Sequence, residues 1–331
     1  MPKHIIRQIP KITLPPGPVV SRFAPAPTGY LHLGHVVSCL YVYGITRALG
    51  GQVLVRIEDH DQTRSRPTFD DAIRDDLVWL GLVPDRSPWP NLGQYDPSLR
   101  QSHRAGITGI YNARLAELTA RGLTYRCDCS RSSMAHNPDG EIFHDGLCKT
   151  RDVPATAPHG IRLLMPNREF TFENLTQTTT KAAEEAHNQN PQLQSGDLLV
   201  RDRNGCFTYQ FCCAVDDLEQ GVNLIIRGAD LLTSTGRQLA LRQMLIPPQN
   251  PPAPPIFFHH PLLTDGSGQK LGKRFLSESI RQLRMDGQTP EAVLGLAAFL
   301  AERVDRQASL DLASALKMFA LNMFLLNTPA E

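Results

Sequence analysis

The stretch from Val19 to Glu58 constrains the fold of this chain more than any other. Val19 to Ala24 is an apolar run of the length of a short buried strand, and Pro25-Ala26-Pro27-Thr28-Gly29 ends it in a turn. Helical character follows from about Gly34 to Leu49, Gly50-Gly51 stops it, and Gln52 to Glu58 reads as a second strand. A strand, a helix and a strand in that order form the repeating unit of a parallel sheet covered by helices, so the expected fold class is α/β.

Downstream, Pro67 sits where a first-turn proline belongs, and Phe69, Ile73, Leu77 and Leu80 repeat at helical spacing, which predicts an amphipathic helix over 67–81. A second helix is expected over 104–121, closed by Gly122. The cysteine-bearing segment 125–150 then breaks the periodic pattern and marks an insertion. Short strands are expected within 160–175, a loop from Glu184 to Ser195, and strand-like runs at 197–202, 207–214 and 222–227. Thr235 to Leu245 reads as a helix, Pro247 to Pro255 as a link, and the chain from Ser277 onward as helical. The sheet domain is begun, interrupted and resumed. The expected division is an N-terminal extension (1–18), a split Rossmann-like domain (19–103 and 196–275), an inserted domain (104–195) and a helical C-terminal segment (276–331). Sheets of this kind bind ligands at the carboxyl ends of their strands.

With 331 residues, a core can form without covalent staples, and the odd count of seven cysteines argues against a disulfide framework. Lys and Arg number 34 against 33 Asp and Glu, so a polyanionic partner must be met by a local patch, not by a global field. The longest apolar stretch, Ala292 to Ala301, is shorter than the roughly 20 residues a bilayer requires. The first 17 residues lack the apolar core of a signal peptide. A cytoplasmic enzyme or binding protein, without membrane contact, is therefore expected.

Two motifs bear on phosphate chemistry. His32-Leu33-Gly34-His35 lies at the entrance of the first helix, where backbone N–H groups and the helix dipole favour an anion. Lys270-Leu271-Gly272-Lys273-Arg274 follows the flexible Asp265-Gly266-Ser267-Gly268 and supplies mobile cations. A third constellation, Cys127-x-Cys129 with His144-x3-Cys148, offers three thiolates and an imidazole, the ligand set of a closed tetrahedral zinc site. His136 and His159 are rival donors, and three reduced cysteines beside a surface histidine are the alternative. Cys39, Cys206, Cys212 and Cys213 sit in apolar runs and read as small buried hydrophobes.

Taken jointly, Pro25 to His35 and the late Lys-Leu-Gly-Lys-Arg resemble the two signatures of class I aminoacyl-tRNA synthetases. Arg22 to Gly29, Arg56-Ile57-Glu58-Asp59-His60-Asp61-Gln62-Thr63-Arg64, Gly196-Asp197, Tyr209 and Val215-Asp216-Asp217 are similar to the glutamyl branch of that class. Within it, Arg227-Gly228-Ala229-Asp230 and Thr235-Gly236-Arg237-Gln238 resemble the synthetases that glutamylate queuosine in tRNA(Asp). The resemblance covers roughly residues 19–275. The 57 residues after Arg274 agree with it, being too few for the helical anticodon-binding portion of a full glutamyl-tRNA synthetase.

The resemblance implies a class I synthetase-like catalytic domain that activates L-glutamate with ATP and Mg²⁺ and transfers the glutamyl group to queuosine in the anticodon of tRNA(Asp), with no obligate protein partner. It assigns His32, His35, Lys270 and Lys273 to catalysis, and His32, Gly34, His35 and Lys273 to ATP. Glutamate falls to Arg22, Phe23, Ala24, Pro25, Ala26, Glu58, Tyr209 and Arg227. The residue types fit glutamate, since a guanidinium fork matches a carboxylate and Glu58 could hold the ammonium group. An ion-pair network of Arg22, Arg56 and Glu58 at the strand ends is the structural alternative. One structural zinc is expected on Cys127, Cys129, His144 and Cys148, although the family commonly has tyrosine where His144 stands. Gly272 replaces the serine of the second signature, which predicts slower activation. Arg281, Arg284 and Arg303 could serve tRNA or form a solvated helix face. Rival readings are a truncated synthetase charging a tRNA 3′ end and a non-catalytic zinc-containing RNA-binding paralogue.

Overall fold

The computed structural model of the chain describes residues 17–104, 109–137, 140, 142–175, 187–246, 251–263 and 278–320. The expected first unit is present as β1 (Val20–Phe23), α1 (Leu33–Ala48) and β2 (Gln52–Val55). β1 and β2 pair in parallel with Arg22 opposite Leu54. Helix α2 (Pro67–Trp79) buries Ala72, Ile73, Asp76 and Leu77. Two short strands, β3 (Arg86–Ser87) and β4 (Gln94–Tyr95), extend the parallel sheet in the order β1-β2-β3-β4.

The middle of the chain is antiparallel. After α3 (Gln101–Arg104) and α4 (Ile110–Ala120) come β5 (Thr124–Cys127), β6 (Ala135–His136), β7 (Ile142–Phe143) and β8 (Gly160–Leu163). Then follow β9 (Phe170–Phe172), β10 (Asn174–Leu175), β11 (His187–Gln189), α5 (Pro191–Ser195) and β12 (Leu198–Arg201). β12, β8 and β5 make one antiparallel sheet, and β6 pairs with β7. β12 thus pairs across the boundary drawn between residues 195 and 196.

Two sequence expectations are corrected. The run 207–214 is not a strand: its residues belong mostly to helix α6 (Tyr209–Glu219), entered from Thr208. Residues 211–217 are all buried, because α6 meets an apolar core on one side and an ion-pair network on the other, and burial on both sides hides the helical period. The segment expected as a loop up to Ser195 contains β11, which pairs with β9, and α5, capped by the Asn190 side chain accepting from Leu193 N–H. The helix expected over 104–121 is described from Ile110 to Ala120.

The parallel sheet resumes with β13 (Leu224–Gly228), α7 (Thr235–Leu245) and β14 (Ile256–His260), in the order β10-β14-β13. Asn223 ties it to the first half. Its backbone N–H donates to Val20 O at 3.1 Å, and its side-chain oxygen accepts from Val20 N–H at 2.8 Å. The C-terminal part is helical as expected, with α8 (Ile280–Met285), α9 (Pro290–Leu300) and α10 (Leu312–Ala320). α10 packs on the outer side of α1, where Gly44 admits it: a Cβ there would lie 2.7 Å from Leu316 O. Helix α1 is consequently buried over most of its surface, between sheet and C-terminal helices. Among the described residues, no helix is long and apolar enough to cross a membrane.

Candidate active site and candidate metal centre

The carboxyl ends of β1, β2, β13 and β14 bring the predicted charged residues together. Arg22, at the end of β1, donates from Nε to Asp217 Oδ1 at 3.0 Å and from Nη1 to Ile226 O at 3.3 Å. Arg56, which is fully buried, donates to the same Asp217 oxygen at 2.7 Å, to Gln220 Oε1 at 3.0 Å and to Glu58 Oε1 at 3.0 Å. The sequence-level alternative of an ion-pair network is therefore present, and it includes Asp217. Burial opposes ionisation of Asp217, yet the two guanidiniums hold its carboxyl well below the usual range. Asp216 accepts Tyr111 Oη at 2.8 Å and Gln101 Nε2 at 2.7 Å, so the same network reaches the first helix of the insertion. Burial raises Glu58, which Arg56 partly offsets. The loop after β1 is fixed to β2 by Arg56 N–H to Phe23 O and Glu58 N–H to Pro25 O, both at 3.0 Å. Phe23 and Pro25 are buried there, Ala24 is half-buried and Ala26 is exposed.

Arg227 differs from its neighbours. It is 4% exposed, and its hydrogen-bond partners among the described residues are neutral: His259 Nε2 at 3.0 Å, Gln238 Oε1 at 2.5 Å and Thr235 Oγ1 at 2.8 Å. Among the described residues, no carboxylate lies within ion-pair distance of it. His259 can accept from Arg227 because its Nδ1–H faces Asn174 Oδ1 at 2.7 Å, which fixes the tautomer. Burial and the adjacent guanidinium push the His259 imidazole down to about 2, so it stays neutral. A buried guanidinium aligned by neutral acceptors is prepared for an external carboxylate. Tyr209, half-buried at the start of α6, lies close enough for Arg227 and Glu58 to act on its ionisation. The supporting role of His259 and Asn174 has no signature of its own in the sequence. Ile256-Phe257-Phe258, an apolar run after the proline-rich link, is the available signal for their strand.

At the head of α1 the two motif histidines cap the helix reciprocally. His32 Nδ1 accepts from Gly34 N–H, and His35 Nδ1 accepts from His32 N–H, each at 3.1 Å. The rings stand 3.9 Å apart. Since both Nδ1 atoms accept, both protons reside on Nε2. Burial, with His32 alongside, lowers His35 to about 3, and burial also lowers His32. The helix start therefore presents neutral N–H donors, and an anion there is met by hydrogen bonds and the helix dipole without imidazolium charge. Lys270, Gly272 and Lys273 lie outside the described residues. The chain on their C-terminal side is anchored here: Ser279 pairs with His32, and Ile280 N–H donates to Leu31 O at 2.8 Å.

The sulfur cluster forms on the insertion. One ligand atom from each of Cys127, Cys129, His144 and Cys148 lies within 4.8 Å of the others. Cys127 Sγ to His144 Nε2 is 3.4 Å and Cys129 Sγ to Cys148 Sγ is 3.1 Å. A tetrahedral zinc, with bonds of about 2.0–2.3 Å, sets its donors about 3.5–3.8 Å apart, so the residues fit that ion. Burial works against the Cys127 thiolate, yet hydrogen bonds from His144 and from Arg162 Nε at 3.2 Å hold it down at about 6. Tyr125 Oη lies 3.3 Å from His144 Nδ1 and donates to Asp197 at 2.8 Å, a partner shell of the kind that orients a ligating imidazole. The His144 backbone is pressed against Gly196, where φ is +67° and a Cβ would fall 1.9 Å from His144 O. Of the rival donors, His136 is exposed on β6 and His159 Nδ1 faces Ala157 O at 2.7 Å; neither joins the cluster.

A split parallel sheet, a paired-histidine helix start and a charged floor at the strand ends define the class I synthetase type of catalytic domain. Comparison places the chain further. The family described as tRNA synthetases class I (E and Q), catalytic domain, matches residues 18–323, and the chain belongs to it. A Glutamyl-Q tRNA(Asp) synthetase of Geobacter sulfurreducens is 37% identical over 266 residues, covering 78% of this chain and 77% of that protein. Glutamate–tRNA ligase 2 of Acidithiobacillus ferrooxidans is 33% identical over 308 residues, covering 91% of this chain but only 62% of the ligase. The crystal structure of a glutamate–tRNA synthetase from Elizabethkingia anophelis superposes with a TM-score of 0.72 at 26% identity, over 93% of this chain and 66% of that one.

Proposed function

We propose that this protein activates L-glutamate with Mg²⁺-bound ATP to glutamyl-adenylate and transfers the glutamyl group to queuosine in the anticodon of tRNA(Asp), in the cytoplasm. The observation that carries the activation step is Arg227, a buried guanidinium whose partners among the described residues are neutral, beside Glu58 and Tyr209. In this reading Arg227 receives one carboxylate of glutamate and Arg22, held by Asp217, aligns the other, while Glu58 accepts from the ammonium group. The free α-carboxylate oxygen attacks the α-phosphorus of ATP and pyrophosphate leaves. The Nε2–H groups of His32 and His35 donate to phosphate oxygens as charge shifts onto them, an effect that preorganised donors supply without reorganisation. Lys270 and Lys273 are assigned to the leaving pyrophosphate. In the second step a queuosine hydroxyl attacks the mixed anhydride and AMP leaves.

The choice of acceptor rests on similarity to proteins named Glutamyl-Q tRNA(Asp) synthetase. The second reading, charging of a tRNA 3′ end, draws on similarity to a glutamate–tRNA ligase over 91% of this chain. We assign one structural zinc to Cys127, Cys129, His144 and Cys148; the bound ion would supply cross-linking of two short turns, without redox or acid–base chemistry.

Pyrophosphate exchange into ATP, with each amino acid in turn and with or without tRNA, tests activation. Exchange is expected with glutamate alone. If no amino acid supports exchange under any condition, the catalytic reading fails and the non-catalytic RNA-binding alternative replaces it. Acceptor mapping tests the second step: label on queuosine survives removal of the tRNA 3′ nucleotides, whereas label lost with them selects the second reading.

A further inference from the structure

Beside the candidate active site, three layers of side chain from three separate elements are stacked at the surface. Tyr30, in the turn between β1 and α1, is 37% exposed. Its ring meets Phe69 of α2 edge-to-face, with centroids 4.9 Å apart. Arg281 of α8 lays its guanidinium over the Tyr30 ring, 5.4 Å from the centroid, and Nη1 donates to Tyr30 Oη at 3.3 Å. Arg281 itself is exposed, so it forms the outer layer of the stack.

This arrangement is absent from the activation chemistry, and a tyrosine there costs exposed apolar area. The surroundings show what it suits. Arg66, three residues before Phe69, and Arg284, three residues after Arg281, are exposed. Arg66 Nη1 donates to Thr63 O at 2.9 Å and to Ser65 O at 2.8 Å, and none of the three guanidiniums has a carboxylate within ion-pair distance among the described residues. Asp76 is close enough to feel Arg281 and Arg284, but it is buried beneath them. Tyr30 precedes His32 by two residues, roughly 7 Å of extended chain. Arg281 follows Ser279, the residue paired with His32, by two. Both halves of the stack are thus rigidly referenced to the head of α1.

We infer that Tyr30, Phe69 and Arg281 form a stacking platform for an unpaired RNA base next to the catalytic centre. An aromatic ring capped by an exposed, planar guanidinium has the chemistry that holds splayed single-stranded nucleotides. Under the proposed function, on which this inference rests, the base belongs to the anticodon loop beside the glutamylated nucleotide. The planar Arg281 contacts the base and Arg66 and Arg284 the phosphates.

Binding of a fluorescein-labelled anticodon stem–loop carrying queuosine, followed by anisotropy, tests the platform, with glutamate-dependent pyrophosphate exchange measured on the same preparations. Tyr30→Ala is expected to weaken binding about tenfold or more, as loss of one stacked base does. Tyr30→Phe should bind within about twofold of the parent protein, since the ring is retained. Arg281→Lys keeps the charge but loses the plane, and should bind several-fold more weakly while exchange is unchanged. Wild-type affinity in Tyr30→Ala, or in Arg281→Lys, overturns the platform; so does equal loss in Tyr30→Phe and Tyr30→Ala, and so does binding of an unrelated acidic protein with the same variant dependence. Loss of exchange in Tyr30→Ala would trace to a displaced α1 and set that variant aside, and Arg281→Lys would then decide. Absence of exchange in the parent protein strikes the proposed function instead, leaving the anisotropy result to judge the RNA contact by itself.

Discussion

The strand-end cluster draws Arg22, Arg56, Asp217, Arg227 and His259 from strands and a helix scattered along the chain, whereas the four donors of the sulfur cluster all lie between residues 127 and 148. The first is framed by parallel strands and by a core that includes Val36, Leu40 and Val53. The second hangs on the end of β5, which carries Cys127, and otherwise on two-residue strands and short turns. Among the described residues, charges in the strand-end cluster are matched within the protein, with Arg227 as the conspicuous exception. The sulfur cluster, by contrast, gathers like donors that repel one another once ionised. The fold alone orders the first site, and on the proposed zinc assignment a bound ion completes the order of the second.

The largest expected difference is therefore in response to chelation. Metal binding contributes on the order of 10–16 kcal/mol in small zinc modules. A chelator, or Cys148→Ala, should open the 128–151 stretch to protease while glutamate-dependent exchange persists. Unchanged protease resistance after verified metal loss would break the contrast. Next is Asp217→Ala, which leaves Arg22 and Arg56 buried without their shared counter-ion. It should lower folding stability by about 3–5 kcal/mol, measured by urea unfolding; a loss below about 1 kcal/mol would mean that the network does not brace the strand ends. Removing the exception, with Arg227→Gln, should leave the fold intact and reduce kcat/KM for glutamate in exchange roughly ten- to a hundredfold, the worth of a charged hydrogen bond.

The smallest effect concerns Asp76, a residue of α2 that is 1% exposed and has one carboxylate oxygen without a partner. Burial raises its carboxyl from 3.8 to about 7, against the pull of Arg284 and Arg281 and with the push of Asp75. Because the folded-state value is the higher one, its stabilising contribution is full below about pH 4 and is lost as pH rises towards 7. Tm should accordingly fall between pH 5 and pH 8 on this account, and Asp76→Asn should flatten that slope. An identical slope in the variant would remove Asp76 as its source. His35, which burial and the neighbouring His32 hold down at about 3, should show no such dependence. Its imidazole nitrogen shifts are expected to stay those of the Nε2–H tautomer from pH 5 to 8.

Legibility in the sequence follows the same divide. Cys127, Cys129, His144 and Cys148 are readable as a set because local spacing alone brings them together, and His32 and His35 because a helix cap is a local event. The first strand–helix–strand unit is legible for the same reason. Helix α6 reads as a strand because Phe207 to Val215 is apolar at nearly every position, and only tertiary packing separates a buried helix from a buried strand there. The alignment of Arg227 by His259 and Asn174 depends on β10 lying beside β14, a pairing between residues about 85 positions apart that no local pattern announces. Gly196 is visible as a glycine, but its reason, the His144 carbonyl against it, is not.

The packing of α10 on α1 has a consequence for how the chain is made. Residues 312–320 cover a face of residues 33–48 through Gly44, Tyr41 and Phe319, and the two rings meet at 4.7 Å. Ribosomes add about 5–20 residues per second, so the earliest helix emerges many seconds before its cover exists. During that interval the first crossover unit can pair its strands but holds an apolar flank open to solvent or to a chaperone. Synthesis pauses in the middle of the message should therefore favour aggregation, and docking of residues 312–320 is the late step that covers the first crossover unit.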